Sequence, residues 1–184
     1  MSVNPTNMIR FLFILASILT SQLASGQEPE AITQKSPLHL KVDPMIGTGG
    51  HGHTYPGATS PFGMVQLSPD TRLDGWDGCG GYHNSDSVIY GFSHTHLQGT
   101  GVSDYGDVLL MPCTQFAGGQ EAWRDRYKSR FNKETEQAHA GYYSVVLEDQ
   151  NLRAQLTTTE RVGVHKYSLN SSDTLTLIVD LQHR

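Results

Sequence analysis

The sequence predicts an all-β protein built as a β-sandwich. Apolar and polar residues alternate over several short segments in the second half of the chain, which is the pattern of strands that bury one face. Short spacers rich in Asp, Asn and Ser separate these segments, as is typical of turns. No segment carries an apolar stripe of helical period long enough for an ordinary helix, and the best candidate, 131–140, is too polar to bury a face.

The strands follow from the alternation. We expect them over 107–112, 141–149, 152–156, 162–167 and 175–181. The first is a short apolar run that ends at Pro112, and in the last Leu175, Leu177, Val179 and Leu181 share one face. The spacers 149–151 and 170–173 are predicted hairpin turns. Strands of this kind hide one face only, so the other contacts solvent or another domain.

Composition excludes some classes of protein. The chain has 184 residues, a net charge of −5 and a pI near 5.9, which argues against nucleic-acid binding because that function requires a basic face. The four cations between Arg124 and Arg130 are interrupted by Asp125 and indicate a solvated face. Two cysteines, Cys79 and Cys113, permit one disulfide; alternatively Cys79 is a thiol that lines a site.

The N-terminus has the organisation of a secretory signal. Residues 1–26 combine Arg10, a short apolar run and small residues before Gln27, and the apolar run is shorter than the roughly 20 residues of a membrane span. We therefore expect a cleaved signal peptide, a polar linker over 27–37 and a folded domain over 38–184. The mature protein is expected to be secreted, periplasmic or displayed at the cell surface, without a transmembrane segment.

One stretch, Gly47–Gly106, has the composition of a binding site. It holds 14 of the 19 glycines and five of the nine histidines, but Arg72 is its only cation apart from histidine. Ordinary solvated loops are rich in Lys, Glu and Ser instead. Glycines let the backbone approach a ligand closely, and imidazoles can bind a metal or hydrogen-bond a substrate.

Aromatic residues in this stretch suggest a sugar ligand. The C–H face of a pyranose packs on aromatic rings, and its hydroxyls need many hydrogen-bond partners. Trp76 lies between Gly75 and Asp77, where a tryptophan has little core to join. Three tyrosines accompany it: Tyr55, Tyr82 and Tyr105. Aromatic residues in a sandwich are, however, more often core residues.

Catalytic and metal-binding alternatives remain open at this point. The pairs His51/His53 and His94/His96 would each present two imidazoles on one face of a strand, which would suit zinc. Glycoside hydrolysis requires two carboxyl groups, but the spacing of the aspartates isolates no pair, and aspartates in glycine-rich loops are usually turn formers. The aspartates concerned are Asp70, Asp74, Asp77 and Asp104.

Several blocks of the sequence together resemble glycoside hydrolase family 92, the calcium-dependent exo-acting α-mannosidases. The first is GTGGHGHTYPGATSPFGMVQLSPDT from Gly47 to Thr71, followed by GWDGCGGYH from Gly75 to His83 and GFSHTHLQGTGVSDYGD from Gly91 to Asp107. A fourth is GYYSV, starting at Gly141. The resemblance runs from about Val42 to the end of the chain, in the family's order, which makes it far more specific than a single motif.

The resemblance implies a two-domain enzyme in which an N-terminal β-sandwich precedes an (α/α)6 helical barrel, with the active site at their junction. It also implies an inverting mechanism, in which the acid and the base lie about 6.5–9.5 Å apart, and a calcium ion held by oxygen ligands. In this family the acid, the base and most calcium ligands lie in the barrel, which this chain lacks. We therefore expect no catalytic residue and no metal ligand here, and no hydrolase activity from this chain alone.

The sandwich of such an enzyme lends loop residues to the sugar pocket. Our candidates for mannose contact are Trp76, Asp77, Cys79 and His83, with His51 and His53 as weaker candidates. The expected partners are mannose-containing glycans, such as N-glycans, and the protein's own C-terminal catalytic domain. Gly78 and Gly80 stand where bulkier residues are common in the family, so this loop is expected to shape its pocket in its own way.

Two other classes of protein share these features. A stand-alone lectin-like module would also need an aromatic, glycine-rich loop for mannose, and a histidine-based metalloenzyme would use the two His-x-His pairs. A sequon at Asn170–Ser172, on a predicted turn, is compatible with export in a eukaryotic host.

Overall fold

A computed structural model describes residues 37–72, 74–114, 127–170 and 174–183. The predicted signal peptide over 1–26 and the predicted linker, apart from Pro37, lie outside these ranges, as do Arg124 and Arg126. Within the described ranges, no helix has the length and apolar character needed to cross a membrane.

The described chain is built from short strands. In order they are β1 (Ala58–Thr59), β2 (Gln66–Asp70), β3 (Val88–Ile89), β4 (Gly91–Ser93), β5 (Leu109–Cys113), β6 (Ser129–Arg130), β7 (Gln137–His139), β8 (Tyr142–Leu147), β9 (Leu152–Thr158), β10 (Gly163–Leu169) and β11 (Thr176–Asp180). Two 3-10 helices, Pro37–Lys41 and Lys133–Thr135, accompany them. The predicted all-β class is confirmed.

The strands form three antiparallel sheets. One has five strands in the order β1-β2-β4-β5-β11, the second has four in the order β10-β9-β8-β7, and β3 pairs with β6. β9 packs against β1 and β2. Residues of both large sheets share one buried core, as in a sandwich. Its members include Leu67, Phe92, Leu109, Met111, Tyr143, Val145, Leu147, Leu152, Ala154 and Leu156.

The alternation over 141–156 predicts the core residues correctly. Tyr143, Val145 and Leu147 are all fully buried, and their cross-strand partners Leu156, Ala154 and Leu152 complete the same face. The predicted turn at 149–151 connects β8 to β9 as a hairpin, and Asn151 there has a φ of 49°. Asn adopts this left-handed backbone conformation more readily than most residues do.

Three details of the strand prediction are wrong. The spacer 170–173, of which only residue 170 is described, is not a hairpin turn, because β10 pairs with β9 whereas β11 pairs with β5 in the other sheet. Period two identifies a strand but not its partner. Pro112 does not end β5 but lies within it, opposite Leu177. The predicted histidine pairs do not lie on strands, as described below.

The apolar face of β11 is exposed rather than buried. Leu177 and Val179 are 47% and 52% exposed, while the buried residues of the strand are Ile178 and Asp180. Asp180 accepts a hydrogen bond from the buried hydroxyl of Tyr127, at 3.1 Å, which satisfies one of its oxygens in the interior. The strand therefore turns its more apolar face outward within the described residues, against the expectation from alternation.

Candidate functional site

The loop that follows β2 and carries Gly75–His83, called the glycine-rich loop below, is attached to the sandwich through a buried cluster at the end of β2. The Asp70 carboxylate is fully buried, with Oδ1 3.2 Å from Nε2 of His96 and Oδ2 3.3 Å from Nε2 of His183. Burial would raise the pKa of Asp70, but the two imidazoles and the hydrogen bond with His96 outweigh it and hold the pKa well below its usual range. Asp70 is therefore a structural anion without access to a substrate.

An ion pair closes the base of the loop. Arg72 donates from Nη2 to Oδ1 of Asp86 at 2.6 Å and from Nε to Oδ2 at 3.2 Å, a bidentate geometry that fixes both partners. The Thr71 hydroxyl also donates to Asp86, at 2.9 Å. Gly78 packs on the aliphatic part of Arg72 so closely that a Cβ would overlap it, which explains why a glycine precedes Cys79 here.

A second buried network fixes the far end of the loop. The Tyr82 hydroxyl donates to Oε1 of Glu136 at 2.8 Å, and the Tyr143 hydroxyl donates to the same oxygen at 2.6 Å. Burial and then the charge of Glu136 raise the pKa of Tyr82 well above its usual value. Tyr82, one of the aromatic candidates, is thus a core residue that holds the loop to β8.

Trp76 is the exposed aromatic side chain of this loop. It is 63% exposed, and its ring lies directly over Gly101, where a Cβ would overlap the indole. The His53 ring meets it edge-on, with centroids 5.2 Å apart and planes at 78°. Tyr55 is buried and Tyr105 is 49% exposed, so of the four aromatic candidates Trp76 offers the largest exposed fraction.

Asp77 connects the two histidines of the first pair. Its Oδ1 lies 2.6 Å from Nδ1 of His51 and 3.8 Å from Nε2 of His53. The hydrogen bond with His51 lowers the pKa of Asp77, so this carboxylate is ionised near neutral pH. His53 has a φ of 55°, is 9% exposed, and its Nε2 has no hydrogen-bond partner among the described residues.

Cys79 and His83 form a layer beneath this group. Cys79 is 2% exposed and its Sγ donates to the carbonyl of Thr100 at 2.6 Å, so it supports the segment that leads to Gly101. His83 is 9% exposed; its Nδ1 lies 2.7 Å from Oγ of Ser85 and its Nε2 3.2 Å from the Gly50 carbonyl. Sugar contact by any of the six predicted residues remains a prediction. Cys79 does not form a disulfide with Cys113.

The histidine-based metal hypothesis does not fit this geometry. His51 lies in a turn and His53 in the irregular segment after it, whereas His94 contacts the Val108 carbonyl and His96 contacts buried Asp70. Because neither pair lies on a strand, period two does not align the imidazoles. In the part of the chain that the structure describes, no group of three or more metal-binding side chains comes together.

The residues of this site do not form a suitable set of ligands for the calcium ion that the family resemblance implies. It requires six to eight oxygen ligands, and the half-buried carboxylate of Asp77 is faced by imidazole nitrogens. Asp70 is fully buried, and Asp104 accepts a hydrogen bond from the backbone of Tyr105, as a turn former does. Asp74 and Asp104 are exposed, whereas Asp70 and Asp77 are both engaged by imidazoles.

Three residues that support the site were not predicted from the sequence: Arg72, Asp86 and Gly101. No sequence pattern distinguishes them from other loop residues, because their roles depend on contacts that form only in the folded loop. A cleft of about 290 Å³ beside Tyr55 contains none of the six predicted contacts; it is lined by Val42, Pro44, Ile46, Thr54, Tyr55, Gly57, Thr59, Gln98, Ala140 and Gly141.

The fold and this site define a β-sandwich with a glycine-rich loop that exposes an aromatic ring, and comparison with known proteins identifies the family. The family model "Glycosyl hydrolase family 92 N-terminal domain" matches residues 41–184. The chain belongs to this family. It is also 30% identical over 160 residues to a protein of Arthroderma benhamiae described as an uncharacterized secreted glycosidase, covering 82% of this chain and 19% of that protein.

Solved structures of the family agree. A family GH92 α-mannosidase of Bacteroides thetaiotaomicron, determined in complex with mannoimidazole, is 36% identical with a TM-score of 0.74; the match covers 80% of this chain and 20% of that one. An inverting mannosidase of the same species is 29% identical with a TM-score of 0.62, covering 76% of this chain and 19% of that one. The chain thus spans about a fifth of the length of these relatives.

Proposed function

We propose that this chain is the N-terminal, sugar-contacting part of an exported, inverting α-mannosidase that removes terminal α-mannose from glycans. The observation that carries the proposal is the group formed by Trp76, Asp77 and His53. It combines an exposed aromatic plane, an ionised carboxylate and a buried imidazole nitrogen without a hydrogen-bond partner among the described residues. A pyranose supplies the complement, because its C–H face packs on the ring and its hydroxyls satisfy both polar groups.

The chemistry of bond cleavage is assigned to another part of a longer polypeptide. An inverting glycosidase needs an acid and a base about 6.5–9.5 Å apart with room for a water molecule between them. Two of the aspartates around Trp76 are already engaged, because Asp70 is buried against two imidazoles and Asp77 is hydrogen-bonded to His51. We therefore propose that the acid and the base lie outside this chain. The same holds for calcium, whose oxygen ligands would also come from the catalytic domain.

Support for mannose as the sugar comes from the relatives. The solved structures that the chain matches are described as α-mannosidases, one as inverting and one in complex with mannoimidazole. Export is supported by the signal-like N-terminus and by the description of the Arthroderma benhamiae relative as secreted. The glycan linkage would be decided where the leaving sugar binds.

The test uses the full-length protein with an α-mannosyl disaccharide. We expect release of mannose, with the β-anomer appearing first in proton NMR, and a higher KM in the Trp76→Ala variant. Phe62→Ala is the matched control, because Phe62 is also an exposed aromatic residue but lies between β1 and β2, outside the loop that carries Gly75–His83. The 184-residue chain alone should release no mannose. Hydrolysis with retention of configuration, or by the chain alone, would contradict the proposal.

Mannose binding without cleavage by the full-length protein would favour the lectin-like alternative. The engagement of Asp70 and Asp77 by imidazoles is equally compatible with that function, so isothermal titration with mannose belongs in the same experiment. If full-length protein binds mannose and hydrolyses no α-mannoside, the enzymatic proposal fails and the binding proposal stands.

A further inference from the structure

A second exposed aromatic group lies on the outward face of the four-stranded sheet. The register aligns one row of outward side chains across all four strands: His139, Tyr142, Thr157 and Val164. The rings of His139 and Tyr142 stack, with centroids 4.6 Å apart and planes at 12°. Because His139 covers one side of the Tyr142 ring, the other side of the ring faces Thr157 and Val164. The stack thus holds an aromatic plane on the surface, away from the core.

A cleft of about 210 Å³ lies beside this plane. Its lining residues come from β8, β9 and β10: Tyr142, Gln155, Leu156, Thr157, Val164 and Lys166. Gln155 donates from Nε2 to the Tyr142 hydroxyl at 2.8 Å, and the Thr157 hydroxyl donates to the Gly141 carbonyl at 2.8 Å, so both side chains are held in place. The cleft is smaller than the roughly 300–1,000 Å³ of sites for drug-sized ligands, so it suits a single sugar ring.

The charged side chains of this face are cations. Among the outward residues of β7 to β10, all of which are described, Arg153 and Lys166 are charged and none is Asp or Glu. The whole chain, by contrast, has a net charge of −5. Burial would raise the pKa of Tyr142, but neighbouring hydrogen bonds and then the charges of Arg153 and Lys166 outweigh it and lower the pKa. Both cations therefore act at the hydroxyl end of the ring, where they favour an anion.

We propose that this cleft is an accessory binding site for an acidic sugar, that is, a pyranose with a carboxylate, in the glycans that the full-length protein contacts. The C–H face of the sugar packs on Tyr142 and Val164. Its hydroxyls pair with Gln155, and its carboxylate pairs with the two cations. The site rests on the proposed function only for the choice of a glycan. It uses no residue of the glycine-rich loop and takes no part in bond cleavage.

An acidic sugar matches the cleft better than a neutral sugar or a phosphate ester. A neutral sugar would pack on the same ring but would gain nothing from the charges of Arg153 and Lys166. A phosphate dianion would cost more to desolvate, because the penalty for removing an ion from water rises steeply with its charge and the floor at Val164 is apolar. A carboxylate carries one charge and can accept a bidentate hydrogen bond from Arg153.

The first test compares two probes, methyl glucuronide and methyl glucoside, which differ only in that the first has a carboxylate where the second has a hydroxymethyl group. Isothermal titration of the full-length protein should give saturable binding of the glucuronide, at least about fivefold tighter than that of the glucoside. Lys166→Gln should weaken glucuronide binding at least about fivefold and leave glucoside binding unchanged. Lys41→Gln is the matched control, because it removes the same charge from another exposed position, in the first 3-10 helix.

A second pair of variants tests the aromatic plane. Tyr142→Ala should weaken glucuronide binding, whereas Tyr142→Phe, which keeps the ring, should retain most of it. Urea unfolding shows whether each variant is folded. If Tyr142→Ala does not fold, the comparison of Lys166→Gln with its control still decides, because Lys166 is exposed.

Kinetics on an α-mannosyl disaccharide separate this site from the proposed function. Lys166→Gln should keep the wild-type kcat and KM, because the disaccharide has no carboxylate. Glucuronide binding by a protein that hydrolyses no α-mannoside leaves this site standing while the enzymatic proposal fails. The site is overturned by the absence of glucuronide binding, by equal affinity for both probes, by tighter binding of glucose 6-phosphate, or by equal effects of Lys166→Gln and Lys41→Gln.

Discussion

The ring of Trp76 packs directly on Gly101, so replacing this glycine with alanine tests the position of the ring. In Gly101→Ala the new Cβ would overlap Cη2 and Cζ3 of the indole, so the ring has to move. Because the contacted atoms are the far end of an exposed side chain, the ring can swing away without disturbing the backbone. Gly101 is not among the residues with positive φ, so alanine can adopt its conformation.

Moving the ring affects binding and stability differently. It removes the aromatic plane offered to the sugar, worth about 0.5–1.5 kcal/mol. That corresponds to a KM about two- to twelvefold higher with little change in kcat, because a binding contact is lost rather than a catalytic one. The free energy of unfolding should change by less than about 1 kcal/mol, because the lost edge-on contact with His53 opposes the gain of about 0.4–1 kcal/mol from restricting the unfolded chain.

Kinetics on an α-mannoside and urea unfolding of the full-length protein measure both quantities. Gly49→Ala is the matched control, because its Cβ would lie at an ordinary contact distance of 3.6 Å from Asn84 and its φ is also not positive. Trp fluorescence in Gly101→Ala should shift while that of the control does not. An unchanged KM together with a shifted fluorescence spectrum would refute a sugar-binding role for Trp76. Unchanged fluorescence would refute the packing of the Trp76 ring on Gly101.

Three further predictions concern stability. Phe92→Ala should lower the free energy of unfolding by about 3–5 kcal/mol in urea titrations, because a fully buried ring between the sheets is lost. Asp70→Ala should lower the free energy of unfolding by about 3 kcal/mol at pH 7, because two buried imidazoles lose their carboxylate partner. The loss relative to wild type should shrink below pH 4. The reason is that the pKa of Asp70 is lower in the native than in the unfolded state, so the stabilisation by this carboxylate fades as the pH falls below the unfolded pKa. Burial lowers the pKa of His165 to about 4, so its protonation favours unfolding as the pH falls from 6.5 to 4; His165→Gln should remove up to about 3 kcal/mol of that acid sensitivity, measured as the slope of unfolding free energy against pH. A variant with the wild-type slope would show that His165 does not titrate as proposed.

Much of the fold could be predicted because alternation reports burial directly. Tyr143, Val145 and Leu147 alternate with more polar neighbours, and all three lie in the core. The same rule fails at β11, where Val179 belongs to an apolar face that the described residues do not cover. Alternation states which residues share a face, but it does not state whether another layer lies over that face.

The sequence predicts a stretch as the candidate site, and the structure shows which of its side chains come together. Trp76 and Asp77 of one glycine-rich motif meet His51 and His53 of the preceding one. Cys79, which belongs to the same motif, is buried beneath them. A motif gives proximity along the chain, whereas exposure depends on the loop geometry that the Arg72–Asp86 pair and the Tyr82–Glu136 bond impose.

Sequence alone determined the all-β class, the family and the stretch that forms the candidate site, because strand period, motif order and composition are local properties of the chain. The tertiary structure decided what each residue of that stretch does. Residues far apart in sequence, such as Trp76 and Gly101 or Asp70 and His183, contact each other only after the strands have paired. Those contacts separate exposed Trp76 from the buried residues that hold its loop in place.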